Sequence, residues 1–306
     1  MKNTPSTQGR AYSRRDFLKL SGLTALSIGG MTVLTACGPS TETKDSGATD
    51  ATDAKSDTAS SFGEGGKLRV GMEVAYPPYN WQTSEATDDT IPVEGLDGAY
   101  ADGIDIFVAK KVAAAFGLEA VAVKLAWSGL IEALNAGQID CIIAGMTPTD
   151  ERKQSIDFSD PYFIGHYGLL VKKDSPYASA TSFADFAGAS VLGQKDTLLD
   201  TVIDEIDGVN HMTPVDSVPA QLSHVNQGAC DAITYNVENR GGLLAANPDL
   251  VAIQFDGSYQ LFPDEVSCNV GLKKGQDDVL KKINDAIAAM GADDSTWETI
   301  IARQPA

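Results

Sequence analysis

The chain has 306 residues, 43% hydrophobic and 21% charged, which is ordinary globular composition and enough for one large or two medium domains. Its net charge is −19; residues 1–36 hold five Lys/Arg and one Asp, so the rest carries 18 Lys/Arg against 41 Asp/Glu, a net −23. That excludes nucleic acid as a partner class, because binding phosphates needs a basic surface.

The first 36 residues read as a signal peptide and stand outside the fold. Ser13-Arg14-Arg15-Asp16-Phe17-Leu18-Lys19 resembles the twin-arginine export signal. An apolar run from Leu20 to Leu34 follows, short for a membrane span. Leu34-Thr35-Ala36-Cys37-Gly38 resembles the lipobox of bacterial lipoproteins, in which the cysteine is lipidated. The alternative is an uncleaved anchor with a chance cysteine. On either reading the rest of the chain is exported, and the lipobox reading makes it a cell-surface or periplasmic lipoprotein tied to the membrane through Cys37. Residues 37–66 read as a flexible tether: 38–66 lack Val, Ile, Leu and Met, so they bury too little apolar surface to offset ordering entropy.

From Lys67 the pattern alternates. Leu68 to Met72 reads as a strand, Glu73 to Tyr79 as a proline-stiffened aromatic loop, and 82–102 as an acidic surface excursion. Ile104, Val108, Val112 and Phe116 mark one helix face, stopped by Gly117. Val121 to Leu125 is a second strand, then Trp127 and a short helix (Leu130, Ile131, Leu134) stopped by Gly137. Ile139 to Ala144 reads as a buried strand. Thr149 is placed to cap a helix that begins at Asp150. Phe163 to Lys173 is an extended crossing run. A strand at 190–193, a helix from Thr197 and a helix at 217–227 restart the pattern. Val266 to Lys273 is a candidate return crossing. Val279, Leu280, Ile283, Ile287 and Met290 form a last amphipathic helix, with Trp297, Ile300 and Ile301 packing it down. Strands alternating with helices predict an α/β fold.

The chain also repeats itself. Asn135-x-Gly137-x-x-Asp140-x-Ile142 recurs as Asn226-x-Gly228-x-x-Asp231-x-Ile233, each copy between an apolar helix and a buried strand. This predicts two similar lobes whose strand C-termini face a shared cleft, where ligands of open α/β sheets bind. Two crossings between lobes make a hinge.

The strand-to-helix turn at 145–152 is a candidate anion site. Arg152 sits in the helix's first turn, where a cation opposes the dipole, so it is a candidate clamp for a ligand carboxylate. The alternative is a surface Arg paired with Asp150 or Asp157. Tyr76 and Trp127 could each be core residues; together with Arg152 their faces suit a small zwitterion.

These motifs resemble the family 3 extracellular solute-binding proteins, the amino-acid receptors of ABC importers. The resemblance spans roughly residues 67–303. It is carried by Trp127-x-x-Leu130-Ile131-x-x-Leu134, Gly137-x-x-Asp140, Ala144-Gly145-Met146-Thr147-x-Thr149-x-Glu151-Arg152 and Asp157-Phe158-Ser159-Asp160-Pro161-Tyr162. It implies an α/β, two-lobed type II periplasmic binding protein fold with two hinge crossings. Lobe 1 would be 67–163 with 268–306, lobe 2 167–264, and the hinges 164–166 and 265–267. By the same resemblance, Glu73 meets the ligand's amino or side-chain end, and Tyr76 and Trp127 sandwich it. Backbone at Ala144 and Gly145, the Thr147 hydroxyl and the Arg152 guanidinium hold its amino and carboxylate groups, and Thr197 adds a carboxylate donor. Where the family usually carries an acid for the ammonium this chain has Asn236, with Glu238 two residues on. The usual Gly-Thr before the second-lobe helix is Lys195-Asp196.

The expected partners are an amino acid, cationic or polar, an ABC permease and ATPase complex, and the membrane through Cys37. No cofactor and no metal is expected, since no nucleophile–base pair or metal-ligand spacing occurs. His166 reads as a hinge residue, His211 and His224 as surface. Cys141 and Cys230 read as buried thiols, and no disulfide is expected among Cys141, Cys230 and Cys268. The reading is a binding protein rather than an enzyme. The alternative is a cyclohexadienyl dehydratase-like enzyme on the same fold, with Glu73, Glu238 or Asp196 as general acid.

Overall fold

The computed structural model describes residues 62–262 and 266–305. The signal segment, Cys37 and most of the expected tether lie outside the described residues. The end of that tether does not: residues 62–66 are folded. Phe62 packs against Phe116 with ring centroids 4.8 Å apart, and the Gly63 amide donates to Asp140. One aromatic ring, in a stretch without Val, Ile, Leu or Met, docks its last turn.

In chain order the first half contains β1 (Lys67–Met72), β2 (Ala75–Tyr76), β3 (Asn80–Thr83), β4 (Ile91–Pro92), β5 (Tyr100–Asp102), α1 (Ile104–Phe116), β6 (Glu119–Lys124), α2 (Leu130–Asn135), β7 (Cys141–Ile142), α3 (Asp150–Ser155) and β8 (Asp157–Gly165). The second half contains β9 (Tyr167–Lys172), β10 (Ser190–Leu192), α4 (Leu198–Thr201), β11 (Asn210–His211), α5 (Val218–Asn226), β12 (Ala232–Asn236), α6 (Arg240–Ala246), β13 (Leu250–Ala252), β14 (Val266–Leu272), α7 (Asp277–Ala289) and α8 (Asp294–Ala302).

Two five-stranded sheets result, ordered β6-β1-β7-β14-β8 and β11-β10-β12-β9-β13. They match position by position: β1 and β10 each lie between parallel neighbours, and β14 and β9 each run antiparallel beside β7 and β12. This is the two-lobed fold with two crossings. The chain leaves the first sheet at Gly165 and enters the second at Tyr167. It returns between β13 and β14. The two crossings run side by side, with Gly165 paired to Val266 and Ile164 to Ser267.

The sequence repeat has a structural cause. Asp140 accepts a hydrogen bond from the Arg69 amide at 2.7 Å, while its own amide donates to the Arg69 carbonyl. Asp231 does the same with Ser190, again at 2.7 Å. Gly137 (φ 74°) and Gly228 (φ 70°) take the left-handed conformation that ends the preceding helix. Each lobe is therefore clamped by one Asp that ties a helix exit to the start of the neighbouring strand.

Three elements differ from the sequence reading. Residues 82–102, expected as an irregular excursion, supply most of a small sheet ordered β2-β3-β5-β4. Its strands are two to four residues long, too short for alternation to register. The helix from Thr197 is one turn of α4 followed by a 3-10 turn over Val202–Glu205. The buried strand at 139–144 narrows to Cys141–Ile142. The C-terminal segment closes on the first lobe: Trp297 meets Phe107 and Phe163 edge to face, and Arg303 forms a two-pronged pair with buried Asp102.

Replacing Asp231 by Ala leaves the Ser190 amide without its acceptor. The expected loss is about 1–3 kcal/mol of stability, read as a lower melting temperature, with Asp231→Asn retaining most of it. An unchanged melting temperature in Asp231→Ala would show the clamp to be dispensable.

Candidate functional site

The site lies where the C-terminal ends of β1, β7, β10 and β12 meet between the lobes. Counted from the clamps, its residues fall at equal offsets. Glu73 and Gln194 lie four residues beyond Arg69 and Ser190, and Gly145 and Asn236 lie five beyond Asp140 and Asp231. The pocket they line holds about 370 Å³ of empty space, part of it open to solvent.

Arg152 reaches this pocket from α3. The Thr149 hydroxyl caps that helix by accepting from the Arg152 amide. The guanidinium donates to the Thr147 carbonyl at 2.7 Å and, across the cleft, to the Asp196 carbonyl at 2.6 Å. It lies over the Trp127 ring, 5.1 Å from the centroid. Among the described residues no carboxylate pairs with it; Asp150 pairs with Lys153 instead. Burial pulls the Arg152 pKa down, since a cation loses solvation there. The alternative pairing with Asp150 or Asp157 is not formed: these acids pair with Lys153 and Lys274.

Trp127 donates its indole N–H to the same Asp196 carbonyl at 3.0 Å. Asp196 has φ 59°, a left-handed backbone that Asp tolerates better than most side chains. That conformation turns its carbonyl toward both donors. Thr197 lines the pocket, but its hydroxyl donates to the Gln194 carbonyl rather than capping α4.

Among the described residues that line the pocket, Glu73 carries the only side-chain carboxylate. Burial pushes its pKa up to about 7, opposed by hydrogen bonding from Gln194. The Gln194 amide sits 3.4 and 3.5 Å from the two Glu73 oxygens and 3.3 Å from the Asp216 carbonyl. Opposite, the Asn236 carbonyl oxygen accepts from the Tyr76 hydroxyl, and its amide donates to Tyr79 at 3.3 Å. Tyr76 and Tyr79 stack at 5.0 Å.

Behind the pocket lies Asp105, at 0% exposure. It accepts from Tyr162 at 2.6 Å, Asn80 at 2.7 Å and the Gly145 amide at 3.3 Å. Burial pushes its pKa up to about 6 against these three bonds. Asn80 in turn accepts from the Val74 amide, holding a β-branched residue at φ 53°. The two loops that carry Glu73–Tyr76 and Gly145–Thr147 are thus pinned to one buried carboxylate.

Glu73, Tyr76, Trp127, Gly145, Thr147, Arg152, Thr197 and Asn236 come together as expected from the sequence. Two residues do not. Ala144 is buried and does not line the pocket. Glu238 is engaged at the first crossing, accepting from the His166 amide at 3.2 Å and facing the His166 ring at 2.8 Å, so it does not stand in for an acid at position 236. The Gly145 amide points inward to Asp105 and Tyr162, leaving only its carbonyl side for a ligand. His211, expected as plain surface, sits between Asp200 and Asp204 at 2.8 Å from each. Sequence reading missed Tyr167, Gln194, Leu198 and Leu199. Gln194 was findable through the repeat, had the partner strand of each clamp been known. No cluster of metal-ligating side chains occurs among the described residues, and Cys141, Cys230 and Cys268 are buried free thiols.

A polar, partly enclosed pocket between two α/β lobes, lined by aromatic rings and one cation, defines a solute-binding cleft. The chain belongs to the bacterial extracellular solute-binding proteins, family 3, whose model matches residues 68–303. It is 32% identical to the L-cystine-binding protein TcyJ of Escherichia coli strain K12 over 75% of this chain and 79% of that one. It is 27% identical to the ABC transporter glutamine-binding protein GlnH of Bacillus subtilis over 94% and 99%. Among solved structures, an ancestral arginine-binding protein bound to arginine aligns with TM-score 0.62 and 28% identity, over 78% and 97%. A Streptococcus pneumoniae amino acid ABC transporter substrate-binding protein, AbpA, shares the fold at TM-score 0.64 and 23% identity, over 78% and 93%. As a member of an extracellular family the protein is an exported solute receptor serving an ABC importer.

Glu73→Gln isolates the buried carboxylate. A folded pKa raised above the unfolded one means the folded state binds the extra proton between about pH 4.5 and 7. Stability from that proton is present at low pH and is lost as pH rises through 7. The ligand-free variant is therefore expected to melt several degrees above wild type at pH 8, with the difference vanishing near pH 4.5. A difference independent of pH would mean Glu73 is solvated.

Proposed function

We propose that the cleft captures a single free amino acid, held by its carboxylate on Arg152, and presents it to the permease and ATPase of an importer. The observation that carries this reading is the partly buried guanidinium of Arg152, which among the described residues hydrogen-bonds neutral carbonyls and pairs with no carboxylate. A ligand carboxylate would form the two-pronged, charge-assisted pair this geometry lacks. Thr147 and Thr197 supply hydroxyls beside it, Tyr76 and Trp127 supply faces for the ligand's carbon skeleton, and Glu73 and Gln194 meet its other polar end. The Gly145 carbonyl and Asn236 complete the wall.

The site acts by binding, with closure about crossings at 164–166 and 265–267. Lobe 1 comprises 67–163 with 268–306, and lobe 2 comprises 167–264. The curated relatives named above are described as binding proteins, which supports a role without chemistry. Residues 1–36 serve as a twin-arginine signal peptide and Cys37 as the lipidated anchor, with the following segment as tether.

A thermal-shift screen of the purified protein against the twenty amino acids tests the reading, since a ligand of the native state raises the melting temperature. One chemical group of amino acids is expected to shift it; no shift with any would overturn the proposal. Arg152→Ala is expected to lose roughly 3–5 kcal/mol of binding, more than a hundredfold. Near-wild-type affinity would sink the carboxylate assignment. Cys37→Ser is expected to move the protein from the membrane fraction to the soluble fraction of the producing cells.

A further inference from the structure

We propose that the cleft selects amino acids of zero net charge, and that Asn236 sets this selection by supplying no carboxylate from the second lobe. The inference rests on the reading of the cleft as an amino-acid site.

The argument is a charge count. The pocket-lining side chains include one cation, Arg152, and one anion, Glu73; the rest are neutral. The two charges do not pair with each other among the described residues: Arg152 sits on backbone carbonyls, and Glu73 faces Gln194. A ligand with one carboxylate and one ammonium neutralises both. A ligand with a second ammonium or a second carboxylate would bury one charge without a partner, which a low-dielectric cleft penalises.

The neighbouring acids are not free to make up the difference. Asp105 is bonded to Tyr162, Asn80 and Gly145 behind the pocket wall. Glu238 is bonded to His166 at the crossing, and Asp200 to His211. Glu151 and Asp196 are exposed and line the groove outside Arg152 and Trp127, where water screens them. Asn236 occupies the remaining position from which the second lobe could add a charge. It is 6% exposed, and its amide is taken up by Tyr76 and Tyr79. An Asp there would keep the bond from the Tyr76 hydroxyl, give up the amide donation to Tyr79, and add a negative charge.

Ligand pairs that differ in charge but little in shape make the test: citrulline against arginine, and glutamine against glutamate, by calorimetric titration at pH 8. These are run beside the twenty amino acids. In the wild type the tightest ligand is expected to carry no net charge, and the neutral member of each pair to bind at least tenfold tighter. Asn236→Asp is expected to move the citrulline-to-arginine affinity ratio at least tenfold toward arginine. Glu73→Gln, which is isosteric, is expected to move the glutamine-to-glutamate ratio at least tenfold toward glutamate, and serves alone if Asn236→Asp does not fold. A tightest ligand with net charge, or ratios unmoved in the folded variants, overturns the inference and leaves the proposed function standing. No binding by any amino acid overturns both.

Discussion

One buried carboxylate holds the site together. Among the described residues Asp105 pairs with no cation; three hydrogen-bond donors offset its burial, each from a different part of the first lobe. Asn80 carries the link to Val74, whose left-handed backbone turns the chain between Glu73 and Tyr76. Gly145 starts the loop that leads to Thr147 and Arg152. Tyr162 lies in β8, three residues before the crossing begins to leave the sheet. A buried acceptor stripped of one donor costs more than a typical hydrogen bond contributes. The three connections share one acceptor, so the two ligand loops are tied to the same buried group.

The second lobe meets this frame through one main-chain carbonyl and two side chains. The Asp196 carbonyl receives both the Trp127 indole and the Arg152 guanidinium, so one oxygen of lobe 2 organises the cation and the aromatic face of lobe 1. Side chains add the Asn236 bridge to the two tyrosines and the Gln194 approach to Glu73. The polar groups that face each other across the cleft are thus satisfied by one another. A solute entering between them has to replace these bonds with better ones, and its affinity is the difference. Charged partners for Arg152 and Glu73 are the replacements with the most to gain.

Much of this was legible in the sequence where a signal extends over several turns. The four-residue spacing of Ile104 to Phe116 and its closing Gly117 mark α1 residue for residue. Thr149 before Asp-Glu-Arg marks α3, and the Asn-x-Gly-x-x-Asp repeat marks both clamps. The small sheet escaped notice because its strands are no longer than its turns. Tyr167 escaped because it sits in an extended, largely buried run, where a pocket residue and a core residue look alike. Glu238 was misplaced for the opposite reason: an exposed-looking acid near the site has a partner, His166, that is 72 positions distant in sequence. Gln194 depends on a strand pairing that one sequence does not display.

The clamps grip backbone, not side chains: the amides and carbonyls of Arg69 and Ser190 are what Asp140 and Asp231 hold. The identity of the gripped residue is therefore free to drift, with proline alone barred for want of an N–H. Chain length is not free. Inserting or deleting one residue between position 69 and Glu73, or between 190 and Gln194, would turn the strand end over and send its cleft-facing side chain to the opposite face. The two halves can diverge in composition almost without limit, as Lys67–Met72 and Ser190–Leu192 already have, while the spacing from clamp to cleft stays fixed.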